Sequence, residues 1–267
     1  MPAEMFACLW RYRSLLWQLV VREVSARYRG SLIGLLWSFL NPALMLAVYT
    51  FVFGVVVPAR WPQSERLTTV DFAVVLFAAL IVHNFLADCI VRAPGLIVSN
   101  HNLVKKVVFP LELLPWTAVG AALFQAFVSI VVLVFAMLVR SHYVAWTIVF
   151  LPVVLVPLLL MAVGFAWFLA GLGVFVRDTS QAVGIIATAM LFMSPAFFPL
   201  EQIPPSLRFV VQFNPLTQPI HQVRQVLIWG MIPDWLFLGK WLLVSLLIAW
   251  LGFWWFQRTR PGFADVL

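Results

Sequence analysis

The sequence predicts an all-α integral membrane protein with six transmembrane helices, an N-terminal amphipathic interface helix, and re-entrant outer gate helices between the fifth and sixth spans. The 267 residues are 64% apolar and only 10% charged, whereas a soluble domain is about half apolar and about a quarter charged. The mean hydropathy is +1.02, and the apolar residues form runs near the roughly 20 residues that cross a bilayer. This composition excludes a soluble globular enzyme, a disordered segment and a secreted disulfide scaffold.

Six apolar runs are the candidate spans of one transmembrane domain, which takes up residues 1–267. The runs extend over residues 32–57, 72–91, 114–139, 146–176, 182–198 and 235–256. The fourth run is long enough to tilt, or to kink at Pro152 and Pro157. An even number of spans places both termini on the same side of the membrane.

Lysine and arginine are distributed unequally between the two sides of this predicted topology. Eleven lie on the side that holds both termini, and the opposite side holds six: Arg60, Arg66, Arg140, Arg208, Arg224 and Lys240. Because cytoplasmic segments are enriched in positive residues, we expect both termini in the cytoplasm. The net charge of +7 fits this topology and anionic headgroups better than it fits nucleic acid.

Residues 9–30 precede the first span and predict an amphipathic helix lying in the membrane interface. One face of this helix would be polar, with Arg11, Ser14, Gln18, Arg22, Ser25 and Arg29 at steps of three or four. The opposite face would carry Leu9, Leu16, Val20 and Val24. Two functions fit such a helix: a membrane anchor, or a platform that meets an anionic headgroup before it enters a pathway.

Two further segments are too short or too polar to span. Residues 99–110 predict a short cytoplasmic helix that stops at Pro110, and its paired lysines are either topology signals or part of a docking surface for a cytoplasmic partner. Residues 199–230 predict a re-entrant or outer-leaflet pair of helices between the fifth and sixth spans. Since irregular backbone at membrane depth is tolerated only against protein or a water-filled cavity, this pair should lie beside a pathway.

The sequence lacks the motifs of common catalytic sites. Gly239-Lys240 is followed by Trp241, so it is no phosphate-binding loop, and there is no zinc-protease pattern or nucleophile turn. Cys8 and Cys89 are far apart and have no metal-ligand spacing. Asp88 lies one turn before Arg92 and is expected to pair with it. We therefore predict no catalytic residue, metal or cofactor, and a source of energy outside this chain.

Several motifs together resemble the transmembrane subunits of polysaccharide-exporting ABC transporters. Residues 22–42, with Arg27-Tyr28-Arg29-Gly30 and Asn41-Pro42, resemble the opening of that family. Residues 105–110 are similar to its coupling segment. The C-terminal half agrees at Arg177-Asp178, Ser194-Pro195, Asn214-Pro215 and Arg224. The resemblance covers essentially the whole chain in order.

This resemblance implies a homodimer of the chain in a bacterial inner membrane, exporting a lipid-linked polysaccharide. Two separate cytoplasmic ATPase subunits would bind ATP and Mg²⁺, which agrees with the missing phosphate loop. The Asn41-Pro42 form of the first-span motif is similar to O-antigen and teichoic-acid exporters, whereas capsule exporters often carry an acidic residue before that proline.

The resemblance also implies roles for particular residues. The entrance for the substrate headgroup would contain Arg11, Arg22, Arg27, Arg29, Gly30 and Gly34. Each arginine would bind a phosphate through two parallel hydrogen bonds or simply anchor the helix. The two glycines would admit a headgroup or allow close helix packing. Asn41-Pro42 would kink the first span as a hinge.

The translocation pathway would be lined by aromatic rings, whose faces stack on pyranose rings without fixing a hydrogen-bond register. The candidates are Trp37, Tyr49, Phe53, Phe192, Phe197 and Phe198, although aromatic residues of membrane proteins also face lipid or form interface belts. Coupling to the ATPase would use Asn102, Leu103, Lys105 and Lys106. The outer gate would use Pro199, Pro204, Asn214 and Pro215.

Two rival functions remain at this point. An ABC exporter of a small molecule or lipid would share the architecture, and neighbouring genes for glycosyltransferases would argue against it. An integral-membrane transferase acting on polyprenyl phosphate belongs to another class. It would need clustered acidic residues near a membrane face, and the sequence shows no such cluster.

Overall fold

The computed structural model describes residues 8–56, 72–106, 109–141 and 144–267. These residues form helices joined by turns, with no strand among them. In chain order the helices are α1 (Arg13–Arg27), α2 (Trp37–Phe51), α3 (Phe72–Arg92), α4 (Gly95–Val98), α5 (His101–Lys106), α6 (Leu113–Ser141), α7 (Leu151–Phe175), α8 (Thr179–Phe192), α9 (Pro205–Phe213), α10 (Thr217–Leu227), α11 (Trp235–Thr259) and α12 (Phe263–Val266).

Five helical stretches of the described chain are long and apolar enough to cross a membrane, which makes this a multi-pass membrane protein. They are Gly34–Val56, Phe72–Arg92, Leu113–Arg140, Trp146–Phe175 and Trp235–Val266. The first stretch joins a 3₁₀ turn, α2 and a π-helical turn at Val52–Val56. The predicted end of the first span at Val57, and Arg60 and Arg66 beyond it, lie outside the described residues.

The predicted fifth span, 182–198, is represented by the shorter helix α8. Its 14 residues reach only about 21 Å at 1.5 Å per residue, less than the roughly 30 Å of a hydrocarbon core. The apolar run continues to Phe198, but α8 ends at Phe192 and residues 193–196 form turns. Pro195 has no amide N–H to continue the helix, and it restricts Ser194 before it. The count of six spans therefore stays a prediction.

Helix α3 lies at the centre of the fold. It packs against α2, α6, α7, α8 and α10, and 78% of the residues in its most apolar stretch are buried. Alanines at 78 and 79 are completely buried in this helix, so neighbouring helices approach closely. The core of the protein is therefore built around the second span.

The most extensive helix pair is α7 with α11, and glycines make its close approach possible. A Cβ added at Gly164 would lie 2.7 Å from the carbonyl oxygen of Ile248, and one at Gly252 would overlap the carbonyl oxygen of Gly164. Small residues at a crossing let helix backbones pack tightly in a membrane. This contact fixes the last span against the fourth.

The N-terminal helix α1 packs along α6. Leu19 and Val24 are buried there, and Val20 covers Gly120, where an added Cβ would lie 2.6 Å from its side chain. The six residues of the predicted polar face are all exposed, whereas the four residues of the predicted apolar face are buried or half-buried. The helix ends at Arg27, earlier than the predicted Gly30, because Tyr28–Gly30 form a turn. Its position in the membrane interface stays a prediction.

Candidate functional site

A network of four charged side chains joins α1 to the C-terminal end of α3. The Nη2 of Arg27 lies 2.6 Å from Oδ2 of Asp88, and Nε of Arg92 lies 3.0 Å from Oδ1 of the same carboxylate. Arg92 also reaches Glu23, with 2.9 Å between Nη1 and Oε1. The predicted pair of Asp88 with Arg92 is confirmed. Two cations and two anions therefore compensate one another in this network.

Beside this network, α1, α2, α3 and α6 line an open cavity of about 640 Å³. Its polar lining consists of Arg27, Tyr28, Asn41, Tyr49, Asn84, Asp88, Gln125 and Ser129. The hydroxyl of Tyr28 donates to Oε1 of Gln125 at 3.0 Å, and Nε2 of Gln125 donates to the carbonyl oxygen of Ser38 at 3.1 Å. These bonds connect α1, α6 and the start of α2 around the cavity.

Sequence reasoning assigned no role to Asn84 or Gln125. The sequence does mark both residues, since each is a polar residue inside an otherwise apolar run. Sequence alone could not show that the second and third spans turn these two side chains toward the same space.

The aromatic residues predicted on the first span do not form one exposed row. Trp37 is exposed, whereas Tyr49 and Phe53 turn toward α3. Their ring centroids lie 6.5 Å from Phe77 and 4.9 Å from Phe72, respectively. Tyr49 lines the polar cavity.

The predicted pathway and gate residues meet at the C-terminal end of α8. The rings of Phe192 and Phe197 stack with centroids 5.6 Å apart and an interplanar angle of 16°. Phe192 and Phe198 line a groove of about 520 Å³ together with Pro204 and part of α9. The structure therefore brings the predicted pathway residues of the fifth span together with Pro204 of the predicted gate.

The segment before the last span contains two short helices, α9 and α10, and α10 is largely buried against α3 and α7. Asn214 links this segment to α8, because its Nδ2 donates to the carbonyl oxygen of Met190 at 2.7 Å. Its Oδ1 accepts from the amide of Leu216 at 2.9 Å, which stabilises the turn through Pro215.

Buried Arg224 anchors α10 to two neighbouring parts of the chain. Its guanidinium donates to the carbonyl oxygens of Val75 at 3.0 Å, Pro195 at 2.6 Å and Ala196 at 2.8 Å. Arg224 therefore lies in the protein interior. Lys240, another member of that set, lies within α11.

Comparison with known proteins identifies the family. The ABC-2 type transporter family matches residues 14–228, from α1 to the end of α10. The chain belongs to this ABC-2 family. It is 28% identical over 259 residues to the O-antigen export system permease protein RfbA of Myxococcus xanthus, covering 96% of each chain. A Klebsiella pneumoniae protein of the same name is 22% identical over 92% of each chain. The polysialic acid transport protein KpsM of Escherichia coli is 24% identical, covering 88% of this chain and 89% of the relative.

In this ABC-2 transporter the predicted headgroup arginines occupy different environments. Arg11, Arg22 and Arg29 are exposed, whereas Arg27 is held by Asp88. A phosphate that bound Arg27 through Nη2 would have to displace that carboxylate. The other three arginines are free of this restriction.

Gly30 and Gly34 are explained by backbone conformation rather than by close packing. Their φ angles are +84° and +57°, and no described atom of the chain lies within 4 Å of a Cβ added at either position. The close-packing interpretation is therefore wrong for contacts within this chain. Glycine is favoured here because left-handed backbone strains other residues.

The predicted coupling segment of this ABC-2 transporter is helical from His101 to Lys106. Asn102 is exposed, and Leu103 packs against the core. The C-terminal helix α12 contacts α5. The side chains of Lys105 and Lys106, and all of residues 107 and 108, lie outside the described part of the structure.

Among the described residues, no group of three or more His, Cys, Asp or Glu side chains is placed to hold a metal ion. The absence of a metal or cofactor in the working protein stays a prediction.

Proposed function

We propose that this chain is the channel-forming permease subunit of an ATP-driven exporter that moves a lipid-linked polysaccharide across the bacterial inner membrane. The observation that carries this proposal is the end-to-end similarity to a protein named as an O-antigen export permease, 96% of each chain. Similarity to a polysialic acid transport protein supports the same substrate class. We favour an O-antigen type of polysaccharide because the M. xanthus relative has the higher identity and coverage of the two.

The chain would work with a second copy of itself and two cytoplasmic ATPase subunits. It has no phosphate-binding loop in its sequence, so ATP and Mg²⁺ would bind to the partners. Only 11% of the residues in the most apolar stretch of the first span are buried, which leaves this span free to meet a second copy. Both termini would lie in the cytoplasm with the ATPase.

The proposed topology has six spans. Helix α8, continued by residues 193–198, would be the fifth, and α9 with α10 would form the re-entrant outer gate. The bonds from Asn214 to α8 and from Arg224 to the turn after α8 support joint movement of the gate and the fifth span. Pro199, Pro204 and Pro215 mark the bends of this segment.

The polysaccharide would pass between the two copies over aromatic rings of the first and fifth spans. The candidates are Trp37, Phe192, Phe197 and Phe198, together with Tyr49 and Phe53, which lie against α3. The phosphate of the lipid linker would first meet Arg11, Arg22 and Arg29 on the exposed face of α1. Gly30 and Gly34 would form the turn beside which it enters.

Helix α5 would receive the movement of the ATPase. Leu103 connects it to the core, so displacement of α5 would be passed to the spans. Changing both Lys105 and Lys106 to glutamate should abolish or uncouple the complex while the permease still inserts. A complex that assembles and exports at the normal rate after this change would reject the docking role.

Deletion of the gene tests the proposed function. We expect a lipid-linked glycan to accumulate on the cytoplasmic side and to disappear from the cell surface, with both effects reversed by the intact gene. An unchanged surface glycan, with a small molecule or lipid retained in the cell instead, would favour the exporter of small substrates. ATP hydrolysis by the purified chain alone would contradict the proposed division of labour.

A further inference from the structure

The cavity between α1, α2, α3 and α6 contains two asparagine side chains that the fold leaves available. Asn84 is exposed although the residues on either side of it, His83 and Phe85, are buried. Asn41 is exposed on α2, and both asparagines line the cavity. Within the described part of the chain, neither side-chain amide forms a hydrogen bond. Both amides can therefore bind something that enters the cavity.

The charges at the rim of the cavity argue against an anionic ligand. Asp88 lies in the lining, and its carboxylate binds both Arg27 and Arg92. Glu23 balances the remaining charge of Arg92. A phosphate in the cavity would face the Asp88 carboxylate, which already holds Nη2 of Arg27.

The lining instead fits a neutral, hydroxylated ring. A side-chain amide both donates and accepts hydrogen bonds, as a sugar hydroxyl does. The rings of Tyr49, Phe77 and Phe85 form apolar walls beside these amides, and such walls can cover the C–H faces of a pyranose. The volume of about 640 Å³ falls in the range of roughly 300–1,000 Å³ that is typical of small-molecule sites.

We infer that this cavity is a sugar-binding subsite, which takes uncharged sugar units of the transported chain between α2, α3 and α6. The inference rests on the proposed function and adds a polar side pocket to the aromatic conduit. It also assigns Arg27 to the wall of the pocket, where Asp88 holds it, rather than to the phosphate of the lipid linker. A weak site of this kind would hold successive units briefly without stopping the chain.

Protection of introduced cysteines from alkylation tests this inference in the complete permease–ATPase complex in lipid nanodiscs. Asn84→Cys and Asn41→Cys are made separately in a Cys8→Ser background, in which the remaining native thiol, Cys89, is buried. The matched control is Phe127→Cys, because Phe127 is exposed on α6 and lines another, apolar groove. The probes are short uncharged oligosaccharides released from the host's own glycan and, separately, inorganic pyrophosphate.

We expect the oligosaccharides to slow alkylation at positions 84 and 41 about threefold when present at about twice their dissociation constant. Alkylation at position 127 should not change, and pyrophosphate should protect neither cavity position. Protection by pyrophosphate equal to that by oligosaccharide would identify an anion site and overturn the inference. Unchanged alkylation at both cavity positions would overturn it as well.

The same preparations separate this inference from the proposed function. Each complex is also assayed for ATP-driven glycan export. Export without protection at either cysteine rejects the sugar subsite alone, whereas a wild-type complex that moves no glycan rejects the proposed function. Because the side-chain amides of Asn84 and Asn41 make no bond in the described structure, both variants should assemble, and either one suffices for the test.

Discussion

The first and second spans are neighbours along the chain and similarly apolar, yet their surroundings are opposite. In the second span, α3, 78% of the residues in the most apolar stretch are buried, and in the first span only 11% are. Hydropathy thus identifies both helices as spans but does not show what covers them. The chain itself covers α3, whereas the surface of α2 is left for lipid or for another protein.

The residues of the two helices explain this difference. Helix α2 has only Ser38, Pro42 and Leu46 buried, at steps of four, so a single narrow row touches the rest of the chain. Its remaining faces carry large exposed side chains such as Phe39 and Phe51. A helix with one contact row is well placed to lie between its own subunit and a second copy.

The largest expected effect comes from removing a core side chain of α3. Leu76 is fully buried, so Leu76→Ala should lower the free energy of unfolding by about 2–5 kcal/mol through lost packing and a cavity. The matched variant Leu44→Ala, at an exposed position of α2, should change the stability of the isolated subunit very little. Thermal unfolding in detergent measures both. Equal losses of stability in the two variants would contradict the difference in burial between the two spans.

A smaller effect is expected where α2 begins. Gly34→Ala should destabilise the subunit by about 1–2 kcal/mol, because its left-handed φ strains any residue with a Cβ. Gly54 is the matched control, because a Cβ added there would meet open space as at Gly34, but its φ angle is not positive. Thermal unfolding of both variants is the measurement, and Gly54→Ala should be neutral or slightly stabilising. If the Gly34→Ala protein is as stable as the wild type, the left-handed backbone at residue 34 does not require glycine.

The ion pairs between α1 and α3 should contribute about 1 kcal/mol to the free energy of unfolding. Asp88→Ala removes two partly exposed ion pairs, each of which is typically worth about 0.2–1 kcal/mol. Glu23→Gln removes one pair and should cost less. Unfolding midpoints at low and high salt check this prediction, since salt should reduce the difference between Asp88→Ala and the wild type. A larger loss of stability from Glu23→Gln than from Asp88→Ala would show that Asp88 is not the central residue of this network.

Local patterns in the sequence predict much of the fold. The six polar residues spaced along α1 are exposed as their spacing predicts, because a helix repeats every 3.6 residues whatever surrounds it. The pair of Asp88 with Arg92 is equally local. Five of the six predicted spans also correspond to long apolar helical stretches of the structure, and only the predicted fifth span is a shorter helix.

Contacts between distant segments could not be predicted in this way. Arg27 meets Asp88 across 61 positions, and Arg224 meets Val75 across 149. Both arginines look like surface charges in sequence, and their partners come together only when the helices assemble. The polar cavity has the same origin, since Asn41, Asn84 and Gln125 come from three separate helices.

A density map of the permease with its ATPase would show whether two copies enclose the conduit with the faces of the first span that their own subunit leaves uncovered. We predict a continuous opening where two copies meet, bordered by the exposed faces of α2 and by Phe192 at the end of α8. A map with no opening between the copies, and with Trp37 and Phe192 turned outward to the acyl chains, would contradict it.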